Sequence, residues 1–403
     1  MIYFFILFLS YGNLNSSYAD SSADSSVDLH AHLFMKEGLK GLFTGDFSGP
    51  LAAQSWKDRF SSQTNPETLE KSGNAITVVA LYAHPLFVGS LRDSIRKQIL
   101  LAEDFVKENP HWIIARNAKQ ANEALKGGKK ILILSLEGAS GILETEEDLS
   151  EFIDEKGIRI VTLLHFTEDR FGAPAFLKGF AAWASPQSLI RNFFKGVFRS
   201  SENPVRRNDR GLTVEGKKLA KALIDRGVWI DLTHASDTAQ NDLISLMTAA
   251  GHPLLYTHTS LRDYFRAERA VSRPQLEAVQ RSGGIVGIMP SEQMLEGTPI
   301  PDSACLCHAP CEGGLEALVI QYNKMSEILK TPSNIAMGTD FNGGIPHLKP
   351  SCKTGTSLDQ EGLWNIGQMK DLWKAMKTAG AHLPKYQDQS VKTFLSAWER
   401  VLP

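Results

Sequence analysis

Six short apolar runs in this chain each end in a side chain that can bind a metal or carry a proton. Residues 27–33 close around His30 and His32, residues 131–136 run into Glu137, and residues 158–164 into His165. Residues 228–233 run into His234, 253–257 into His258 and 334–339 into Asp340. Buried parallel strands read as short apolar and β-branched runs. In a (β/α)8 barrel the C-terminal ends of such strands all open onto one face. Side chains scattered over most of the sequence can therefore meet in one pocket.

Strand-like runs near 27–33, 75–82, 130–136, 158–165, 228–233, 253–257, 284–289 and 334–339 make eight. Helical patterns lie between nearly all of them, at 91–108, 117–125, 146–155, 213–226, 236–249, 274–281, 314–329, 361–379 and 389–401. Ser236 or Asp237 is placed to cap the helix that follows, and Gly283-Gly284 breaks another before 285–289. Eight strands alternating with helices predict an α/β fold, a (β/α)8 barrel, over an open doubly wound sheet. The first strand is followed by no Gly-rich dinucleotide fingerprint, and no P-loop occurs. Two insertions follow strands and so should sit on the active-site face. One, at 171–208, is rich in aromatic and basic residues; the other, at 290–313, holds three of the cysteines.

Residues 2–11 form an apolar stretch far below the roughly 20 residues that a spanning helix needs. With polar residues 13–17 and the small-x-small site Ser17-Tyr18-Ala19, residues 1–19 read as a signal peptide, although its start carries no Lys or Arg. An uncleaved anchor is the alternative. Residues 20–26 are a Ser/Asp-rich lead-in, and 27–403 are expected to form one barrel domain in an exported, periplasmic or secreted protein. No stable membrane span is expected. A net charge of −2 without a basic block points away from nucleic acid. In an exported chain Cys305, Cys307, Cys311 and Cys352 read first as disulfides, with three pairings open, and second as a small zinc site.

Asp28, His30 and His32 alternate along one strand and so point to one side, which lets two imidazoles converge on an ion. Glu137 at the end of a buried strand needs a positive partner, either a metal or a salt-bridging side chain. His234 and His258, each a satisfied core histidine if taken alone, become metal-ligand candidates because they close successive strands. Asp340 completes the set, with an N-cap as its plain structural role.

Asp28-Leu29-His30-Ala31-His32, Ser135-Leu136-Glu137-Gly138 and Thr162-Leu163-Leu164-His165 resemble the membrane (renal) dipeptidases, peptidase family M19. So do Gly211-Leu212-Thr213, Ile230-Asp231-Leu232-Thr233-His234, Tyr256-Thr257-His258-Thr259-Ser260, Arg269-Ala270-Val271 and Gly338-Thr339-Asp340-Phe341. The resemblance implies a zinc hydrolase with two ions per subunit. His30, His32 and a bridging Glu137 would hold one, and Glu137, His234 and His258 the other. It implies that His165 steadies the tetrahedral intermediate, Arg269 holds a substrate carboxylate and Asp340 is the catalytic carboxylate. A divalent ion lowers the pKa of a bound water to about 7, which would supply hydroxide at neutral pH. A small dipeptide is the implied substrate, and a homodimer is an allowed assembly.

Two departures stand out. His32 occupies the place of the family's Asp, which removes one anionic ligand. Ile288-Met289-Pro290-Ser291 replaces an aromatic-containing stretch, which bears on substrate preference. They keep open a lactone or other amide hydrolase on the same barrel, and an inactive binding homologue after it.

Overall fold

The computed structural model describes residues 26–38, 63–64, 66–176, 190, 205–301, 314–345, 347–350, 357–385 and 388–401. The expected leader at 1–19, nearly all of the lead-in, the four cysteines, most of the 171–208 insertion and half of the 290–313 insertion lie outside these residues.

Among the described residues nine parallel strands form one sheet. They are β1 (Ser26–Ala31), β2 (Asn74–Leu81), β3 (Trp112–Ile114), β4 (Lys130–Glu137), β5 (Ile160–Thr162), β6 (Trp229–Asp231), β7 (Leu255–Thr259), β8 (Ile285–Ile288) and β9 (Ile335–Met337). Each of β4 to β8 pairs with the next, β9 pairs back onto β1, and β1 pairs β2. Pairing of β2 with β4, six residues long from Ile76↔Ile131 to Leu81↔Leu136, closes an eight-stranded barrel. The strands are buried on both faces, which is why β2 and β4 carry continuous apolar runs instead of alternation.

The ninth strand, β3, is absent from the sequence-based expectation. It pairs with residues 130–132 of β4, at the opposite end from the β5 contact at 135–137. Three residues are too few to set a period.

The barrel is wrapped by helices whose starts are fixed by side chains. Thr213 accepts from Gly216 N and Ser236 from Ala239 N, so Ser236 is the cap of Asp237–Ala249. Gly283 ends Arg273–Ser282 in the left-handed region (φ 64°). Two expected helices differ. The 146–155 segment turns from α (Glu146–Leu149) to π (Ser150–Glu155). The 361–379 segment is broken at Gly362 (φ 77°), with its regular helix confined to Met369–Thr378. Between the barrel and the C-terminal helix Asp388–Glu399, Trp229 packs on Phe394 with ring centroids 5.5 Å apart. Among the described residues no helix is long and apolar enough to cross a membrane.

Candidate metal centre

Each site residue stands at or just past the C-terminal end of a barrel strand: His30 in β1 with His32 after it, Glu137 ending β4, His165 after β5, His234 after β6, His258 in β7 and Asp340 after β9. Two of these positions hold the backbone in the left-handed region without being glycine, His234 (φ 69°) and Asp340 (φ 55°). Such strain persists where the surroundings over-determine it, and it collects at functional sites. Close packing leaves no room for side chains nearby. A Cβ on Gly338 would sit 2.0 Å from Thr257 O, and one on Gly343 2.0 Å from Asp340 Oδ1.

Glu137 is the hub. Its Oε1 lies 3.5 Å from His30 Nε2, 3.5 Å from His165 Nε2, 3.2 Å from His234 Nε2 and 3.6 Å from His258 Nε2, and its Oε2 lies 3.3 Å from His32 Nε2. The Nε2 atoms of His30 and His32 are 3.4 Å apart, and those of His234 and His258 3.1 Å. Asp340 Oδ1 approaches His32 Nε2 to 3.2 Å. Arg269 Nη2 lies 3.3 Å from His234 Nε2 and its Nη1 donates to His258 O. All eight residues singled out in the sequence meet in this one cluster.

The other ring nitrogens are committed elsewhere. His32 Nδ1 faces Ala80 O at 3.1 Å, and a carbonyl only accepts, so this nitrogen carries the proton. Thr257 Oγ1 lies 2.9 Å from His258 Nδ1 and 3.3 Å from His30 Nδ1. Burial lowers the pKa of His165 to about 4 and holds His234 and His258 far below the usual imidazole value. Neutral imidazole is the form that ligates metal. His32 behaves oppositely: burial opposes its charge, but the hydrogen bonds it donates to the Asp340 and Glu137 carboxylates raise it to about 10. For Glu137, burial favours the neutral acid, yet the surrounding histidines, His165 first, hold it well below the usual carboxylate value.

Imidazole nitrogens turned toward one buried carboxylate, and toward each other at 3.1–3.4 Å, form a donor set that could hold a cation. Two groups of donors lie within 4.8 Å of one another, His30–His32–Glu137 and Glu137–His165–His234, sharing Glu137. Nitrogen and carboxylate donors of this kind suit zinc.

The model of the membrane dipeptidase family, peptidase family M19, matches residues 16–351. The chain belongs to this family. A metallopeptidase of Rhodobacter sphaeroides, solved with a phosphinate mimic of the dipeptide L-Ala-D-Ala, superposes with a TM-score of 0.66 at 16% identity, covering 94% of this chain and 99% of that one. A probable dipeptidase of Pseudomonas aeruginosa, PvdM, gives 0.61 at 16% identity, over 91% and 97%. Curated relatives include an uncharacterized dipeptidase of Schizosaccharomyces pombe, 18% identical over 57% of this chain and 49% of that one. An uncharacterized Acinetobacter calcoaceticus protein is 23% identical over 48% and 52%. The chain thus spans about half the length of the curated relatives it matches.

On this membrane dipeptidase barrel, several buried groups stand behind the cluster, and among them the strand alternation points only to Asp28. Asp231 and Thr257 stand beneath the histidines. Asp28 Oδ2 accepts from Thr339 Oγ1 at 2.7 Å and so steadies the turn that carries Asp340. His347 Nε2 donates to Thr339 O at 2.6 Å from the far side. The Tyr82 ring lies 4.6 Å from that of His165. Glu268, fully buried beside Arg269, accepts from Phe176 N (2.9 Å), Asn208 N (2.8 Å) and Asp237 N (2.9 Å). Arg262 pairs with Asp237 at 2.7 Å and donates to Glu268 O and Ala270 O, fixing the backbone on both sides of Arg269. A carboxylate inside an apolar strand, as in Ile230-Asp231-Leu232, was the available signal.

Proposed function

We propose that this chain is an exported zinc dipeptidase that hydrolyses the peptide bond of dipeptides. The observation that carries this is Glu137, buried, with five imidazole nitrogens 3.2–3.6 Å from its oxygens. His30, His32 and Glu137 would hold one ion, and Glu137, His234 and His258 a second. Zinc, when bound, polarises a carbonyl and makes a water acidic enough to attack at neutral pH.

The chain's own residues supply the rest. Arg269 is buried and forms no carboxylate ion pair among the described residues, and burial lowers its pKa only to about 10, so it stays charged at neutral pH. Such a guanidinium is suited to a substrate's terminal carboxylate, gripped through two N–H groups. The mimic of L-Ala-D-Ala held by the Rhodobacter sphaeroides relative has the size this implies. Asp340 takes the proton of the attacking water as its oxygen adds to the carbonyl carbon. When the C–N bond breaks, Asp340 passes that proton to the leaving amine. His165, kept neutral by burial, donates a ring N–H to the oxyanion without surrendering it.

Export rests on the apolar stretch at 2–11 and the Ser17-Tyr18-Ala19 site, with 27–403 as one barrel domain. Purified protein treated with a chelator should lose dipeptidase activity and regain it with zinc; full activity in metal-free protein would overturn the proposal. His32 and the Met289-Pro290-Ser291 stretch favour, as a second reading, a lactone or other amide substrate on the same barrel. A panel of dipeptides against lactones separates the two.

A further inference from the structure

We infer that Thr257, aimed by Asp231, sets the proton positions of one histidine in each half of the metal centre and so couples the two ion sites. This rests on the two-ion reading above.

Asp231, 1% exposed, has four partners. Thr257 N (2.9 Å) and Thr233 N (3.0 Å) donate to Oδ1, while Thr162 Oγ1 (2.7 Å) and Thr257 Oγ1 (2.6 Å) donate to Oδ2. A carboxylate has about four acceptor sites, so this one is saturated, and it takes the single hydroxyl hydrogen of Thr257. Only the two lone pairs of that hydroxyl remain. They face His258 Nδ1 at 2.9 Å and His30 Nδ1 at 3.3 Å. Both rings must therefore carry their proton on Nδ1, which leaves each Nε2 lone pair turned toward Glu137. His30 belongs to the first proposed site and His258 to the second, so one oxygen orients ligands of both. The pairing β5–β6, with Thr162 opposite Asp231, and the β6–β7 neighbourhood place these groups in one layer beneath the metal layer.

Partners of ligand histidines are typically worth 10–100-fold in metal affinity. The test is a zinc titration of the chelator-stripped full chain against a chromophoric competitor. Wild type should bind two ions. Thr257→Val should weaken both by about 10- to 100-fold together, and Thr257→Ser should keep wild-type affinity. Asp231→Asn preserves volume but replaces an acceptor with a donor, and should reproduce the Val loss. Nitrogen-15 imidazole spectra of the zinc-free protein should show Nδ1–H at His30 and His258 in wild type and not in the Thr257→Val protein. Failure of wild type to bind zinc overturns the two-ion reading and this inference with it. Two ions bound by wild type, with Thr257→Val unchanged or weakened at one site alone, overturns the coupling while leaving that reading in place. If Thr257→Val does not fold, the Ser and Asn variants decide: equal affinities in both overturn the inference.

Discussion

His32 Nε2 stands 3.2 Å from Asp340 Oδ1, so the imidazole after β1 faces the carboxylate after β9 across the barrel seam. The resemblance places Asp at position 32 in the family. An imidazole there, held charged by Asp340 and Glu137 when no metal intervenes, balances two buried carboxylates that an aspartate would instead repel.

His32→Asp should therefore put three carboxylates together. The zinc-free variant should melt several degrees below zinc-free wild type, and zinc should raise its melting temperature by more than it raises that of wild type. Thermal unfolding with and without zinc checks this, and identical zinc-free melting temperatures would contradict it.

Arg269→Ala should cost about 2–4 kcal/mol, roughly 30- to 1000-fold in kcat/KM, on dipeptides with a free C-terminal carboxylate. C-terminal carboxamides should change little. Steady-state kinetics on matched pairs measures this, and equal losses on both would remove the proposed clamp.

Glu268 gives a pH prediction. Burial raises its pKa to about 7 from 4.5, against the three backbone N–H groups that favour the charged form. The folded protein thus holds this proton more tightly than the unfolded chain. Its contribution to stability is present below pH 4.5 and is lost as pH rises to about 7, by up to about 3 kcal/mol. Glu268→Gln should flatten the pH dependence of stability in that window. Denaturant unfolding at pH 4.5 and 7 measures it, and an unchanged slope would refute it.

Gly338→Ala tests the packing behind the site. The new methyl would meet Thr257 O at 2.0 Å and His258 Cα at 2.8 Å, and backbone cannot yield as a flexible side chain does. A loss of about 1–3 kcal/mol or more is expected, together with weaker zinc binding through displaced His258. Unfolding and zinc titration on one sample would reveal either effect; wild-type values in both would show that the strands can part.

The sequence by itself determined the barrel and which titratable side chains gather at the C-terminal ends of its strands. Continuous apolar runs are what strands buried on both faces require, and the titratable residue closing each run marks the face where parallel strands end. The three-residue β3 gave no period to read, and nothing local in residues 146–155 distinguishes a π turn from an α turn. Only the tertiary structure decided how the cluster is held. The Asp231–Thr257 hydrogen bonds reaching His30, the Asp28–Thr339 pair and the Glu268 cradle join residues far apart in the chain. Such bonds depend on which side chains the closed barrel stacks in one layer, and no local pattern along the chain encodes that adjacency.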